Sequence, residues 1–162
     1  MARLGLVVTS DRIYRRKARD ENLETLKEGL KTRHDVELEF YYTVPNDPSL
    51  IKTIVDEASR SCDIVIVTGG TGVSPRDVTV DALSELARKE VKSIADLLRI
   101  KSLDEVGEKA FISRASAFIV RNAIVVAIPG NPGSLRILLG ILDKLLRHLT
   151  EELKGTTKTH LL

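Results

Sequence analysis

Apolar and polar positions follow two different periods along this chain, and the changes of period mark out its elements. Residues 3–9 (RLGLVVT) form a short β-branched run ending at Ser10-Asp11, and the segment ENLETLKEGLKTR behind it sets Leu23, Leu26 and Leu30 at helical spacing. Strand, loop and helix follow in that order. Residues 36–44 (VELEFYYTV) are rich in strand formers and stop at Pro45-Asn46-Asp47-Pro48, after which Leu50, Ile51, Ile54, Val55 and Ala58 line one helical face. A third unit starts with DIVIVT, residues 63–68, the unbroken apolar run expected of a strand buried on both faces. It leads through a glycine stretch into DALSELARKE, which reads as helix. Residues 94–99 are a further amphipathic region. AFIV and AIVVAI then flank Arg121-Asn122, which predicts a tight hairpin between two antiparallel strands. IPGNPGS opens a final helix whose Leu135, Leu138, Leu142, Leu145 and Leu149 form a stripe widened by Ile137, Ile141 and Leu146, suited to packing on the sheet or on a sister subunit.

Strands alternating with helices predict an α/β fold of three layers: a mainly parallel sheet, helices on both faces and one antiparallel hairpin strand. Parallel neighbours need a crossover and cannot be joined by a tight turn. The length, 162 residues, fits a single domain over 1–162. In open sheets of this kind ligands bind beyond the carboxyl ends of the strands, where the strand order reverses. Four polar loops leave such ends, at residues 10–11, 45–47, 68–77 and 129–134, and are expected to form one rim.

Composition narrows the function classes. Apolar residues at 43% and charged residues at 30% describe a soluble globular chain, and no apolar run approaches the roughly 18 to 20 residues of a membrane span. The start, MARLGLVVTSDR, reads as a first strand rather than a secretion signal, so a cytoplasmic location is expected. A formal charge of +2 with interleaved signs, and few aromatics, argues against nucleic acid as a partner. Cys62 stands alone and His34, His148 and His160 are scattered, which is not metal-cluster spacing.

The chemistry concentrates in TGGTGVSPRDVT, residues 68–79. Gly69, Gly70 and Gly72 open the backbone to close approach, Thr68, Thr71, Ser74 and Thr79 add hydroxyls, and a helix N-terminus follows: a cradle for a phosphate or a polar heterocycle. Neither a Walker loop nor a GxGxxG order is present. A glycine turn with Asp77 or Thr79 as helix cap would account for the glycines but not for Arg76. Beside such a loop, Arg76 can neutralise phosphate oxygens and Asp77 can offer magnesium a carboxylate oxygen. Asp47-Pro48 is a strong N-cap and N1 pair, yet Asn46 and Asp47 leave a strand on the same rim. Pro129-Gly130-Asn131-Pro132-Gly133-Ser134 again puts glycine backbone, an amide and a hydroxyl at a strand-to-helix junction.

TGGTG followed by Arg76-Asp77-Val78-Thr79 and Asp81-Ala82, together with IPGNPGS, resembles the molybdopterin-binding domain of molybdenum cofactor biosynthesis proteins of the MogA/MoaB type. The two-domain plant and animal relatives, including gephyrin, carry a similar domain. Val8-Thr9-Ser10-Asp11-Arg12, Leu98-Arg99, residues 102–107 and Ile112-Ser113-Arg114-Ala115 extend the resemblance over nearly the whole chain. It implies an enzyme that adenylylates molybdopterin: the pterin's terminal phosphate attacks the α-phosphate of Mg-ATP and pyrophosphate leaves. By the same resemblance, Thr68, Gly69, Gly70, Thr71, Gly72, Arg76 and Thr79 would cradle pterin or phosphates, and Ser10 with Pro129, Gly130, Asn131 and Ser134 would complete the pocket. Asp77 would bind magnesium or orient substrate. Adenylylating members usually carry an aspartate after the proline matching Pro45, whereas this chain has Asn46 there and Asp47 next to it. Either a small shift of the loop lets Asp47 replace the missing acid or metal binding is weakened; with Asp47 in that role the catalytic set is Asp77, Asp47 and Asn46 and the metal ligands are Asp77 and Asp47. Ser93-Ile94-Ala95-Asp96 stands in place of the family's Gly-Phe-Gly-Glu. Two further readings are a pterin carrier without turnover and a nucleotide pyrophosphate hydrolase like the N-terminal domain of competence-damage proteins. The resemblance also implies a homotrimer or homohexamer and hand-over of the product to a metal-inserting partner protein.

Overall fold

The elements follow in the order β1 (Ala2–Thr9), α1 (Asp11–Tyr14), α2 (Glu21–Leu30), β2 (Val36–Val44), α3 (Pro48–Ser61), β3 (Ile64–Thr68), α4 (Thr79–Leu86), β4 (Lys89–Glu90), α5 (Lys92–Val106), β5 (Ser116–Val120), β6 (Ala123–Ile128) and α6 (Pro132–Leu153). A 3₁₀ turn, Gly107–Phe111, extends α5. The computed structural model describes residues 1–153 and 155. Six strands make one sheet in the order β2-β1-β3-β6-β5-β4. The first four in that order are parallel, and β5 runs antiparallel to β6 on one side and to β4 on the other.

Helices cover both faces, as the unbroken apolar runs require. On one face Leu4, Leu6, Val8, Ile64, Ile66, Ile124 and Val126 pack with Leu26 of α2, Leu98 of α5 and Leu135, Leu138 and Leu142 of α6. On the other, Val7, Val65, Val67 and Val125 meet Ile51, Val55 and Ala58 of α3 and Ala82 and Leu83 of α4. Each fully buried aliphatic side chain contributes about 1.5 to 3 kcal/mol relative to exposure. The stripe on α6 is thus largely used within the chain, with Ile137 and Leu145 at its margin. The side chains of Leu146 and Leu149, and all of His160, lie outside the described residues.

The hairpin closes at Arg121, whose φ of 53° lies in the left-handed region typical of such turns. One strand escapes the sequence pattern. DALSELARKE reads as helix to its end, but α4 stops at Leu86 and Lys89–Glu90 pairs with β5. The N–H groups of Arg88 and Val91 donate to the carbonyls of Ile119 and Ala117, so sheet pairing outweighs local helix propensity there.

The parallel register sets the four strand ends level: Thr9 faces Val44, Val8 faces Thr68, and Thr68 faces Ile128. Between β1 and β3 the chain changes its direction of travel across the sheet, which is where a ligand crevice forms in such folds.

Candidate active site

The loops released at those four ends touch one another. Gly69 and Gly70 have φ of 103° and 66°, open to glycine and strained for other residues. The Gly69 N–H donates to the Ile128 carbonyl at 3.0 Å, and the Thr68 hydroxyl donates to the Pro129 carbonyl at 3.0 Å. A Cβ on Gly130 would lie 3.1 Å from the Gly69 Cα. Residues 68–70 are therefore seated between the end of β1 and the loop 129–134.

Two of the sequence candidates brace this loop from beneath. Thr79 is buried and its hydroxyl donates to the Gly69 carbonyl at 2.7 Å, while Thr68 is buried and committed to Pro129. Above them, no described residue accepts a hydrogen bond from the backbone N–H of Gly70, Thr71 or Gly72. Three amide donors in succession at a strand end make a concavity for an anion.

Arg114 locks the far side of the loop. Its N–H donates to the Thr71 carbonyl at 2.7 Å, and its guanidinium reaches the carbonyls of Gly72 (2.9 Å) and Asp77 (2.7 Å) while forming a bidentate pair with Asp81, both bonds 2.9 Å. The sequence marked Arg114 only as part of a matching segment. Asp77 does not cap α4, and neither does Thr79, because the cap position is Val78 and carries no side-chain bond. A turn closed by the Asp77 N–H on the Ser74 carbonyl folds the carboxylate back over the glycines. Its Oδ2 accepts the Ser74 N–H at 3.0 Å, and a Cβ on Gly72 would come within 2.6 Å of it.

Beside the loop is a cavity of about 530 Å³. Gly70, Thr71, Gly72 and Asp77 form one wall, Pro129, Gly130, Asn131 and Ser134 the second, and α5 with the turn behind it the third. Eight sequence candidates thus share one concavity, of a size that holds a drug-sized ligand. The third wall supplies Leu98, Arg99, Ser102, Glu105, Lys109 and Ser113. Of these all but Lys109 fall in segments that carried a signal through resemblance: Leu98-Arg99, residues 102–107 and Ile112-Ser113-Arg114-Ala115. Asn131 also caps α6, its Oδ1 accepting the Ser134 N–H at 2.9 Å.

The remaining candidates lie outside the cavity walls. Ser10 caps the single turn α1, its hydroxyl accepting the Ile13 N–H at 3.3 Å. Asp47 caps α3, its Oδ1 accepting the Leu50 N–H at 2.8 Å, with Pro48 in the first turn as the sequence predicts. Asn46 and Arg76 both turn to Asp11: Arg76 by an ion pair, Asn46 by its N–H at 3.0 Å and its amide at 3.4 Å.

Three carboxyls are held below their ordinary value of 3.8: Asp11 chiefly by the Arg76 guanidinium, Asp81 chiefly by Arg114 and Asp56 chiefly by Arg121. A depressed folded-state value stabilises the fold above the unfolded carboxyl's value, and that contribution is lost as pH falls through the folded one. The midpoint of thermal unfolding should be nearly flat from about pH 7 to 5 and decline below about pH 4. Added salt should blunt the decline, because all three pairs are solvent-accessible. A midpoint that fell as sharply between pH 7 and 5 would contradict these assignments.

The chain matches the family model described as a probable molybdopterin binding domain over residues 5–148. It is 31% identical over 152 residues to a protein of Methanocaldococcus jannaschii named probable molybdopterin adenylyltransferase, the match covering 93% of each chain. It is 39% identical over 124 residues to molybdenum cofactor biosynthesis protein B of Staphylococcus aureus, covering 74% of each. The crystal structure of the molybdopterin biosynthesis enzyme MoaB from Thermus thermophilus superposes with a TM-score of 0.86 at 29% identity, covering 96% of this chain and 98% of that one.

Proposed function

This chain belongs to the family of probable molybdopterin binding domains, and we propose that it transfers an adenylyl group from ATP to molybdopterin in molybdenum cofactor biosynthesis. The observation that carries the reading is the run of three N–H groups, at Gly70, Thr71 and Gly72, that have no acceptor among the described residues and belong to the wall of a cavity large enough for a pterin. An oxygen of the pterin's terminal phosphate attacks the α-phosphorus of ATP. The bond to the bridging oxygen breaks, and pyrophosphate leaves with its electrons. The protein's part is to hold two anions in line and to stabilise the charge they gather. The amides of the glycine loop take phosphate oxygens. Of the residues lining the cavity, Ser113 and Glu105 would meet the polar edge of the pterin, and Leu98 and Ile137 would cover its rings.

Among the described residues no group of three or more His, Cys, Asp or Glu side chains forms a metal cage. Magnesium bound with nucleotides takes one or two carboxylates and otherwise phosphates and water, so Asp77, beside the glycine loop, fits an ion that arrives with ATP. When bound, the ion would neutralise charge on the leaving pyrophosphate. Asp77 would give it an oxygen or orient the attacking phosphate.

Self-association as a trimer or hexamer, a cytoplasmic setting and hand-over of the AMP ester to a metal-inserting partner belong to the same proposal. Exposed Ile100, Val106, Phe111 and Ile112 around α5 are in keeping with self-association, and no helix among the described residues is long and apolar enough to cross a membrane. Purified protein given molybdopterin, ATP and magnesium should release one pyrophosphate per adenylylated pterin. Binding of the pterin without pyrophosphate above background would favour the carrier reading, which the uncharged Asn46 motivates.

A further inference from the structure

Asn46 stands where the resemblance puts an acid, and its surroundings show where the negative charge has gone. Asp47 is engaged as the cap of α3 and lies off the cavity walls. Asp11 accepts the Asn46 N–H at 3.0 Å and its amide at 3.4 Å, and pairs with Arg76, the residue before Asp77. An aspartate at 46 would set a second carboxylate about as close to Asp11 as the amide now is, with like charges opposed. The asparagine instead donates to Asp11 and fixes its position. Its Oδ1 is buried without a partner among the described residues, and a Cβ on Gly70 would come within 3.1 Å of it, so an unmet acceptor borders the glycine loop.

We propose that Asp11 and Arg76 together form a binding site for a magnesium nucleotide, beside the glycine loop and outside the walls of the pterin cavity. The choice of a nucleoside triphosphate as ligand rests on the adenylyl-transfer reading. A carboxylate paired with a guanidinium is the complement of a magnesium ion paired with phosphates. On binding, Asp11 exchanges Arg76 for the ion and Arg76 exchanges Asp11 for phosphate oxygens, which leaves no charge uncompensated. Asp11, 22% exposed, is sheltered enough to hold an ion, while Arg76, 67% exposed, is free to swing onto phosphate. Asn46 is a positioning residue, donating to Asp11 from its backbone N–H and its side-chain amide.

Calorimetric titration with ATP, with magnesium and again with EDTA, tests this. The wild type should bind ATP at least tenfold more tightly with magnesium. Asp11→Asn keeps an acceptor for the Asn46 N–H but removes the charge. It should erase that increment while binding ATP in EDTA as well as the wild type or better, since Arg76 is then free. A merely structural role would weaken both titrations together. Asp47→Ser keeps a helix cap and removes the charge, and should retain the increment within about twofold. An increment that survives in Asp11→Asn, that is lost in Asp47→Ser, or that is absent from the wild type overturns the proposal. Pyrophosphate assays on the same proteins separate the two readings. An Asp11 pattern as described without adenylyl transfer defeats the reaction and keeps the site, and transfer with the increment intact in Asp11→Asn does the reverse.

Discussion

Replacing Gly69 with alanine is expected to lower stability by roughly 2 to 4 kcal/mol, combining a strained positive φ with an overpacked contact. The added Cβ would sit 2.3 Å from the Thr9 carbonyl oxygen and 2.9 Å from its hydroxyl, at a φ of 103°. A flexible side chain could yield, but the obstacle is the backbone of β1, which is paired in register with Val44 at that point and with β3 just before it. The loop must move instead. Movement would break the bonds from Gly69 to Ile128 and from Thr79 to Gly69, and so separate the glycine loop from residues 129–134. Loss of stability in urea and loss of ligand affinity should therefore appear together. Gly107→Ala is the control: at φ 60° and ψ −145° it carries backbone strain of about 1 to 3 kcal/mol, but nothing lies within 4 Å of the new Cβ, so no loss of ligand affinity is expected to accompany it. Equal stability of Gly69→Ala and the wild type would mean the four loops are not locked as described.

Asp77→Asn should reduce turnover by about 100- to 1000-fold, the usual loss when one charge-stabilising group is removed from a transition state. Its unfolding midpoint should stay within a few degrees of the wild type. The substitution is isosteric and can still accept from the Ser74 N–H, so the turn that places the side chain survives. Steady-state and single-turnover rates of pyrophosphate release check this. A variant within threefold of wild-type turnover would remove Asp77 from the reaction.

Much of this site can be read from the letters because its parts lie at strand ends. An apolar run that stops at a glycine or proline announces its own loop, and parallel strands then gather such loops at one edge. Gly70 to Gly72 and Pro129 to Ser134 came together for that reason. The third wall did not announce itself: α5 buries the polar Ser102, whose hydroxyl donates to the Leu98 carbonyl, and exposes Ile100, so its pattern is blurred. Arg114 was opaque for another reason. Its work is done on carbonyls of residues more than thirty positions away, which no local period encodes. The Asp47-Pro48 signature revealed a cap. It gave no sign that capping would occupy the acid expected to replace the one missing at Asn46, nor that Asp11 would meet Arg76 across 65 positions.

A crystal structure with molybdopterin bound would show whether the glycine loop holds the pterin's phosphate. The terminal phosphate is expected on the N–H groups of residues 70–72 and the ring system in the adjoining cavity between Pro129 and Leu98. A pterin bound elsewhere, or a phosphate making no contact with residues 70–72, would contradict that placement.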